Sequence, residues 1–425
     1  MGHDEALRAG DGLTTDYSGR RVDADKLIPW LAASWGFCTF FPVGVGYLHL
    51  FTLALVMGFS PHRRARAAQL LDSGFKWPLL LFILWPLAVA VTGPWYDATA
   101  ARLFHVMRGV LILGLALMLR PAEARAALHG FLVAAGFAVC VVALHHAIGL
   151  PHWALWHNLL ESKGNQSSQN MILLAVAAGL SLARALRPAQ AGSSRLLWLA
   201  FMGLLATAVV FHAMSRNAQL ILAAVLMFAV LHRYRSRKGL IIGLALSLVA
   251  VALAWQYSPT THARFMALWG ELQQAQQSHQ YASSIGVRWR MYQECLQAMI
   301  ESPLFGKGLG SWLVHWQAVA AGQLGQLAQT NNPHNDYLLA GMETGVPGML
   351  VVIWLLLAFA VKAWAARTEF GAEAFLLATA VIVTTMFNPL LRDAAFGLSL
   401  LWLMGAAAAA ARTDNVEAAR PLPTE

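Results

Sequence analysis

Long apolar runs recur along nearly the whole chain, and nothing else in the sequence narrows its fold as much. An apolar run approaching 20 residues crosses a hydrocarbon layer as an α-helix. There, each backbone N–H and C=O must find its partner inside the protein. Twelve runs are legible: 27–41 and 43–59 (both short, joined at Pro42), 77–93, 101–119, 127–149, 169–186, 196–211, 217–231, 239–257, 346–364, 374–391 and 396–411. The expected fold is an all-α integral membrane protein with about 12 transmembrane helices. Charged residues are only 12% of the chain and apolar residues 58%, whereas soluble domains carry about 25% charge.

Charge between the runs sets an orientation. One set of connections holds Arg63, Arg64, Arg66, Arg120, Arg125, Arg184, Arg187, the cluster from Arg233 to Lys238, Lys362 and Arg367. With both termini, that side takes about 21 of the 30 Lys and Arg residues, so the positive-inside rule makes it cytoplasmic. An even number of spans then puts both termini on that side. The net charge of +9 is thus a topological signal and implies no nucleic-acid partner. The first 26 residues lack an apolar core and read as a polar tail with no cleavable signal peptide.

The expected organisation is an N-terminal cytoplasmic tail (1–26), nine transmembrane helices (27–257), a large helical periplasmic loop (258–345), three more transmembrane helices (346–411) and a cytoplasmic tail (412–425). Ser258 to Pro333 is far longer than a passive connection. A first loop helix is expected around Arg264 to Gln274. A second runs from Ile285 to Glu301, with Val287, Met291, Cys295 and Met299 at four-residue spacing on one side. A glycine-rich turn follows from Leu304 to Ser311, then a third helix from Trp312 to Ala320.

The loop ends in Asn332-Pro-His334-Asn-Asp336. Pro333 disfavours helix for the residue before it, and Asn335 and Asp336 are good capping residues. His334 is therefore displayed just outside a helix N-terminus. The helix dipole there opposes the imidazolium and keeps the ring neutral, as a proton acceptor must be. A surface histidine in a turn is the competing reading. Gly345, Pro347 and Gly348 end this helix and begin the next apolar run.

Basic residues on the sparse outer side are costly near a bilayer unless they face a cavity or an anion. Arg216 lies where the seventh run turns into the eighth, clustered with Ser215, Asn217 and Gln219. Arg288 and Arg290 open the second loop helix and point in different directions, so one can serve a site while the other pairs with lipid or protein; for Arg288 the competing reading is a salt bridge to Glu294, Glu301 or Glu271. Arg264 is a weaker candidate. Cys38, Cys140 and Cys295 show neither metal spacing nor a disulfide framework. Outer-side carboxylates are dispersed, and no phosphate-binding loop or dinucleotide fingerprint is present. Arginines with one histidine and no metal suit a substrate carrying a diphosphate. Arg clamps phosphate oxygens and neutralises the departing charge, and His takes a proton from an attacking hydroxyl.

Two patterns carry a resemblance to a known family. Arg216-x-x-x-Leu220, preceded by Ser215, is one. His334-Asn335, followed by Gly345-x-x-Gly348, is the other, and the block from Ile285 to Gly310 lies between them. From about Leu196 to Leu356 the chain resembles the O-antigen ligase/polymerase superfamily of bacterial envelope enzymes, and within it the ligases. That resemblance implies a GT-C-like glycosyltransferase in the bacterial inner membrane, with its site facing the periplasm. It implies transfer of O-antigen polysaccharide from undecaprenyl diphosphate to the lipid A-core oligosaccharide, without a metal or other cofactor. It further implies that His334 activates the acceptor hydroxyl and that Arg216 and Arg288 hold the diphosphate, with Arg264 as a weaker extension and Ser215 and Asn335 in support. Polymerases and protein O-oligosaccharyltransferases of the superfamily share parts of these patterns. A lipid or glycan transporter is the reading from another class, but paired halves and mid-membrane polar clusters are not evident.

Overall fold

The computed structural model describes residues 24–151, 153, 159, 164–212, 216–257, 262, 263, 266, 270, 284–321, 330 and 332–412. The described residues are helical with no strand. In chain order the helices are α1 (Ala24–Phe37), α2 (Val43–Phe59), α3 (Arg63–Asp72), α4 (Lys76–Thr92), α5 (Thr99–Leu117), α6 (Pro121–Ile148), α7 (Gly164–Ala185), α8 (Gly192–His212), α9 (Arg216–Tyr234), α10 (Arg237–Tyr257), α11 (Ser284–Glu301), α12 (Trp312–Ala320), α13 (Asp336–Ala365), α14 (Gly371–Phe387) and α15 (Ala394–Ala410).

Each expected apolar run coincides with one of these helices. Six described helices (α5, α6, α8, α9, α10 and α13) are long and apolar enough to cross a membrane by length and composition. A seventh qualifies if α2 and α3, bent by 111° at their junction, are one broken span. α3 itself falls in a basic connection that the sequence reading treated as loop. Helices α4, α14 and α15 are apolar but shorter.

α15 is apolar all round, and a helix of that kind belongs in an interior. Nearly every residue along it is buried, and Trp402 stacks on Trp35 of α1 with ring centroids 4.1 Å apart. Arg108, halfway along α5, is buried and would be prohibitive in hydrocarbon alone. It donates to the Tyr47 hydroxyl (2.9 Å) and to the Arg392 carbonyl (2.7 Å), so it braces the turn between α14 and α15. At the other end of the bundle, buried ion pairs join helix ends: Arg66 to Glu123 at 2.7 Å, and Arg184 to Glu373 at 2.9 Å.

A second, smaller core lies outside the first. Val287, Met291 and Cys295 of α11 pack with Trp312 and Trp316 of α12 and with Leu339 and Met342 of α13. The four-residue stripe read from the sequence is the buried face of α11. α11 and α12 keep the expected limits to within a residue. The expected first loop helix falls mostly outside the described residues.

α13 serves both cores because it breaks in the middle. Gly345 has φ 75° and ψ 177°, a region open essentially to glycine alone. The break strips partners from the helix ladder, and other segments replace them. Lys307 N–H donates to the Met342 carbonyl (2.8 Å), and Val346 N–H donates to the Pro303 carbonyl (2.8 Å). Trp85 Nε1 donates to the Thr344 carbonyl (2.8 Å). The glycine-rich turn, with φ of 67°, 99° and 91° at Gly306, Gly308 and Gly310, is thereby clamped onto α13. It also receives the Tyr96 hydroxyl at the Lys307 carbonyl (2.9 Å) and the Thr99 hydroxyl at the Leu309 carbonyl (2.6 Å). Gly345→Ala should therefore destabilise the fold by about 1–3 kcal/mol, read as a lower thermal midpoint of the purified protein in detergent. An unchanged midpoint would mean that this backbone geometry is not required.

Candidate functional site

His334 sits where the two cores meet. The Asn332 side-chain oxygen accepts the His334 N–H at 2.9 Å, an Asx-turn that Pro333 stiffens. His334 has φ 56°, a left-handed conformation costing roughly 1–2 kcal/mol for an L-residue. Asn335 then caps α13, its side-chain oxygen accepting Leu338 N–H at 3.0 Å. The expected histidine just outside a capped helix is present. The turn and the cap together fix where its ring begins.

Asp336, the first residue of α13, is buried and accepts Leu391 N–H at 2.7 Å. That bond, with Arg108 on the Arg392 carbonyl, positions the turn carrying Arg392. The imidazole of His334 is held down to about 4, first by burial and then by the positive charges of Arg288 and Arg392. The sequence reading had the direction right and the cause incomplete: burial and two guanidinium groups act on this ring, besides any helix dipole.

Arg288 and Arg290 divide their roles as their spacing predicts. Arg290 makes an ion pair with Glu294 one turn on, at 2.7 Å, and Glu294 also meets His315 at 3.0 Å. Arg288 points the other way, toward Tyr292, Arg216 and His334. Its affinity for a proton is lowered by burial and by the charge of Arg216, and partly restored by Tyr292. Among the described residues no carboxylate pairs with Arg288. The Tyr292 side chain faces that of Asn335, which sets α11 beside the cap of α13. Arg216 is the first residue of α9 and half-buried.

The structure thus brings His334, Arg288, Arg216 and Asn335 into one neighbourhood. Ser215 and Arg264 lie outside the described residues. Two participants escaped the sequence reading. Tyr292 carried a signal, since it stands four residues after Arg288 and shares its helix face. Arg392 carried none: only the fold joins it to His334, and burial and neighbouring Arg102 bring it down to about 10.

Arg392 also lines a cavity of about 80 Å³ between α4, α5 and α13. Phe82, Trp85, Val106 and Val351 form its apolar side; Arg102 and Glu343, ion-paired at 3.0 Å, form its polar side. His334 and Arg288 stand beside this cavity and do not line it. A clustered excess of positive charge around a neutral imidazole is a place for an anion with a transferable proton nearby.

Six described helices long and apolar enough to cross a membrane, with basic side chains gathered near His334, are the marks of a multi-pass membrane protein. Residues 201–353 match the family model Wzy_C, described as O-antigen ligase. The match contains Arg216, Arg288, His334 and the Gly345 break. No curated protein matches the chain.

Replacing Arg288 by Gln should raise the His334 pKa from about 4 toward its ordinary value of 6.5, because one like charge is removed. The check is an NMR pH titration of ring-labelled histidine in the purified protein, with His334 assigned by its own substitution. An unmoved titration would separate the two residues.

Proposed function

We propose that this protein is an O-antigen ligase with about 12 membrane spans and a GT-C-like architecture, placed in the bacterial inner membrane with His334 at the periplasmic face. It transfers O-antigen polysaccharide from undecaprenyl diphosphate to the lipid A-core oligosaccharide. The observation that carries this reading is the grouping of Arg288 and Arg392 around an imidazole that stays neutral, with Arg216 beside Arg288. Arg216, Arg288 and His334 stand inside the stretch that matches the ligase family model, and Arg392 lies beyond it.

The proposed reaction is a metal-independent, inverting glycosyl transfer. An acceptor hydroxyl of the core sugar gives its proton to the imidazole of His334. The oxygen attacks the anomeric carbon of the first O-antigen sugar. The bond from that carbon to the diphosphate oxygen breaks, and undecaprenyl diphosphate leaves with the electron pair. Arg216 and Arg288 bind its phosphate oxygens, and their attraction strengthens as charge develops on the leaving group. Arg392 keeps the imidazole deprotonated and adds to the field. Asn335, facing Tyr292, keeps α11 and the His334 turn in register. The apolar cavity beside Arg392 suits a short part of a prenyl chain. Ser215 and Arg264 are assigned supporting roles near Arg216 and the diphosphate.

His334→Ala should lower ligation by about 10²–10⁴-fold, the usual contribution of a general base, while donor binding persists. Replacing Arg216 or Arg288 by Ala should weaken both donor binding and turnover. Purified protein with labelled donor and core acceptor reads each quantity, and a fully active His334→Ala protein sinks the base assignment. Chelator should leave the rate unchanged. Transfer to a second lipid-linked glycan in place of core would make the protein a polymerase.

Only the neutral ring accepts a proton, so the acid limb of kcat/KM reports His334 in the free enzyme. With its pKa near 4, activity should hold down to about pH 5 and fall below pH 4. An acid limb centred at 6.5 would contradict the depressed value.

A further inference from the structure

The end of the bundle opposite His334 holds two cavities that the transfer reaction leaves unused. One, of about 810 Å³, is polar and is walled by α3, the start of α6, the segment after α13 and the end of α15. The other, of about 390 Å³, is apolar, with Phe75, Leu117, Phe359 and Ala363 among its walls. Ser73, Ala366, Ala411 and Arg412 line both, so the chambers adjoin. Each is within or near the roughly 300–1,000 Å³ typical of ligand sites.

The charges around them are unevenly matched. His62, Arg66 and Arg120 meet Asp25 or Glu123. Arg367, Arg412 and Lys362 pair with no carboxylate among the described residues, and Asp72 is the one aspartate of the polar wall. Arg412 donates to the Leu117 and Leu119 carbonyls at 2.7 and 2.8 Å, bonds that orient it without cancelling its charge. Burial pulls it down to about 10. Lys362 Nζ lies 5.5 Å from the centre of the Phe75 ring, at the mouth of the apolar chamber. Arg66, 98% buried by its 2% exposure, keeps an Nε with no partner at the polar wall.

We infer that these chambers bind one anionic glycerophospholipid. Its phosphate sits among Arg367, Arg412 and Lys362, and one acyl chain fills the apolar chamber. A phosphate supplies the charge these cations lack. Basic pockets between helix ends are the places where anionic headgroups bind. Free phosphate would leave Phe75 and Phe359 facing an empty apolar space, and a neutral lipid would leave the cations unmatched. The ligand therefore needs both features in one molecule, and a leaflet at the level of the helix ends provides it. This site is independent of the transfer reaction.

The test is native mass spectrometry of the full chain released from detergent after equilibration with phosphatidylglycerol, or with phosphatidylcholine at equal concentration. One phosphatidylglycerol should be retained, with about tenfold less phosphatidylcholine, as for one charge-assisted contact. Two variants should each lose about tenfold in retention: the double Lys362→Gln, Arg367→Gln, which removes no hydrogen bond of the fold, and Ala366→Trp, which plugs the junction with all charges kept. Thermal melts confirm that each is folded, and if one is not, the other decides. Equal retention of both lipids, retention unchanged in a folded variant, or displacement by inorganic phosphate overturns the inference. So does an adduct seen only after residues 414–425 are removed, because the chain itself would then be the occupant.

Discussion

The break in α13 at Gly345 is the constraint on which the end of the molecule carrying His334 depends. A helix entering a bilayer is closed to outside partners, because its amides are already paired. Gly345 opens that ladder at one level, and the freed groups become attachment points. Lys307 and Pro303 bind them from one side and Trp85 from another. The layer of α11, α12 and the glycine-rich turn is therefore bonded into the bundle. The N-terminal half of α13, freed from the direction of the lower half, packs Leu339 and Met342 into the small core and delivers His334 to its place.

Electrostatics at that place follow from the same arrangement. An imidazole among guanidinium groups and partly withdrawn from water loses affinity for a proton through each effect separately. The turn at Asn332 and the cap at Asn335 hold His334 in a left-handed backbone conformation that an L-residue does not choose freely. Strain of this kind persists where surrounding contacts over-determine it. Asp336 and Arg108 hold the turn with Arg392 from below, so even the charge farthest in sequence from α11 is fixed by buried bonds.

Much of this was legible along the chain because it rests on local chemistry. Asn335 as a cap, the extent of α11 and α12, and the buried stripe of Val287, Met291 and Cys295 depend on side-chain type and helical spacing. That Arg288 and Arg290 point apart follows from their angle on one helix, but which of them pairs with Glu294 came only with the fold. α3 was missed because a short basic helix has no apolar period to announce it. Arg392 was missed as a neighbour of His334 because 58 positions of chain separate them, and no local rule links the turn after α14 to the cap of α13.

By itself the sequence determined that the chain is helical and apolar, which connections carry the basic residues, and which histidine stands at a helix start. These follow from hydropathy, charge and backbone preference, each set within a few turns of chain. Tertiary structure alone decided that Arg288 and Arg392 share one field with His334, that Arg216 stands beside Arg288, and that Lys362, Arg367 and Arg412 gather at the far end. Charges interact through space, and spatial neighbours are chosen by the packing of whole helices, which no short stretch of sequence contains.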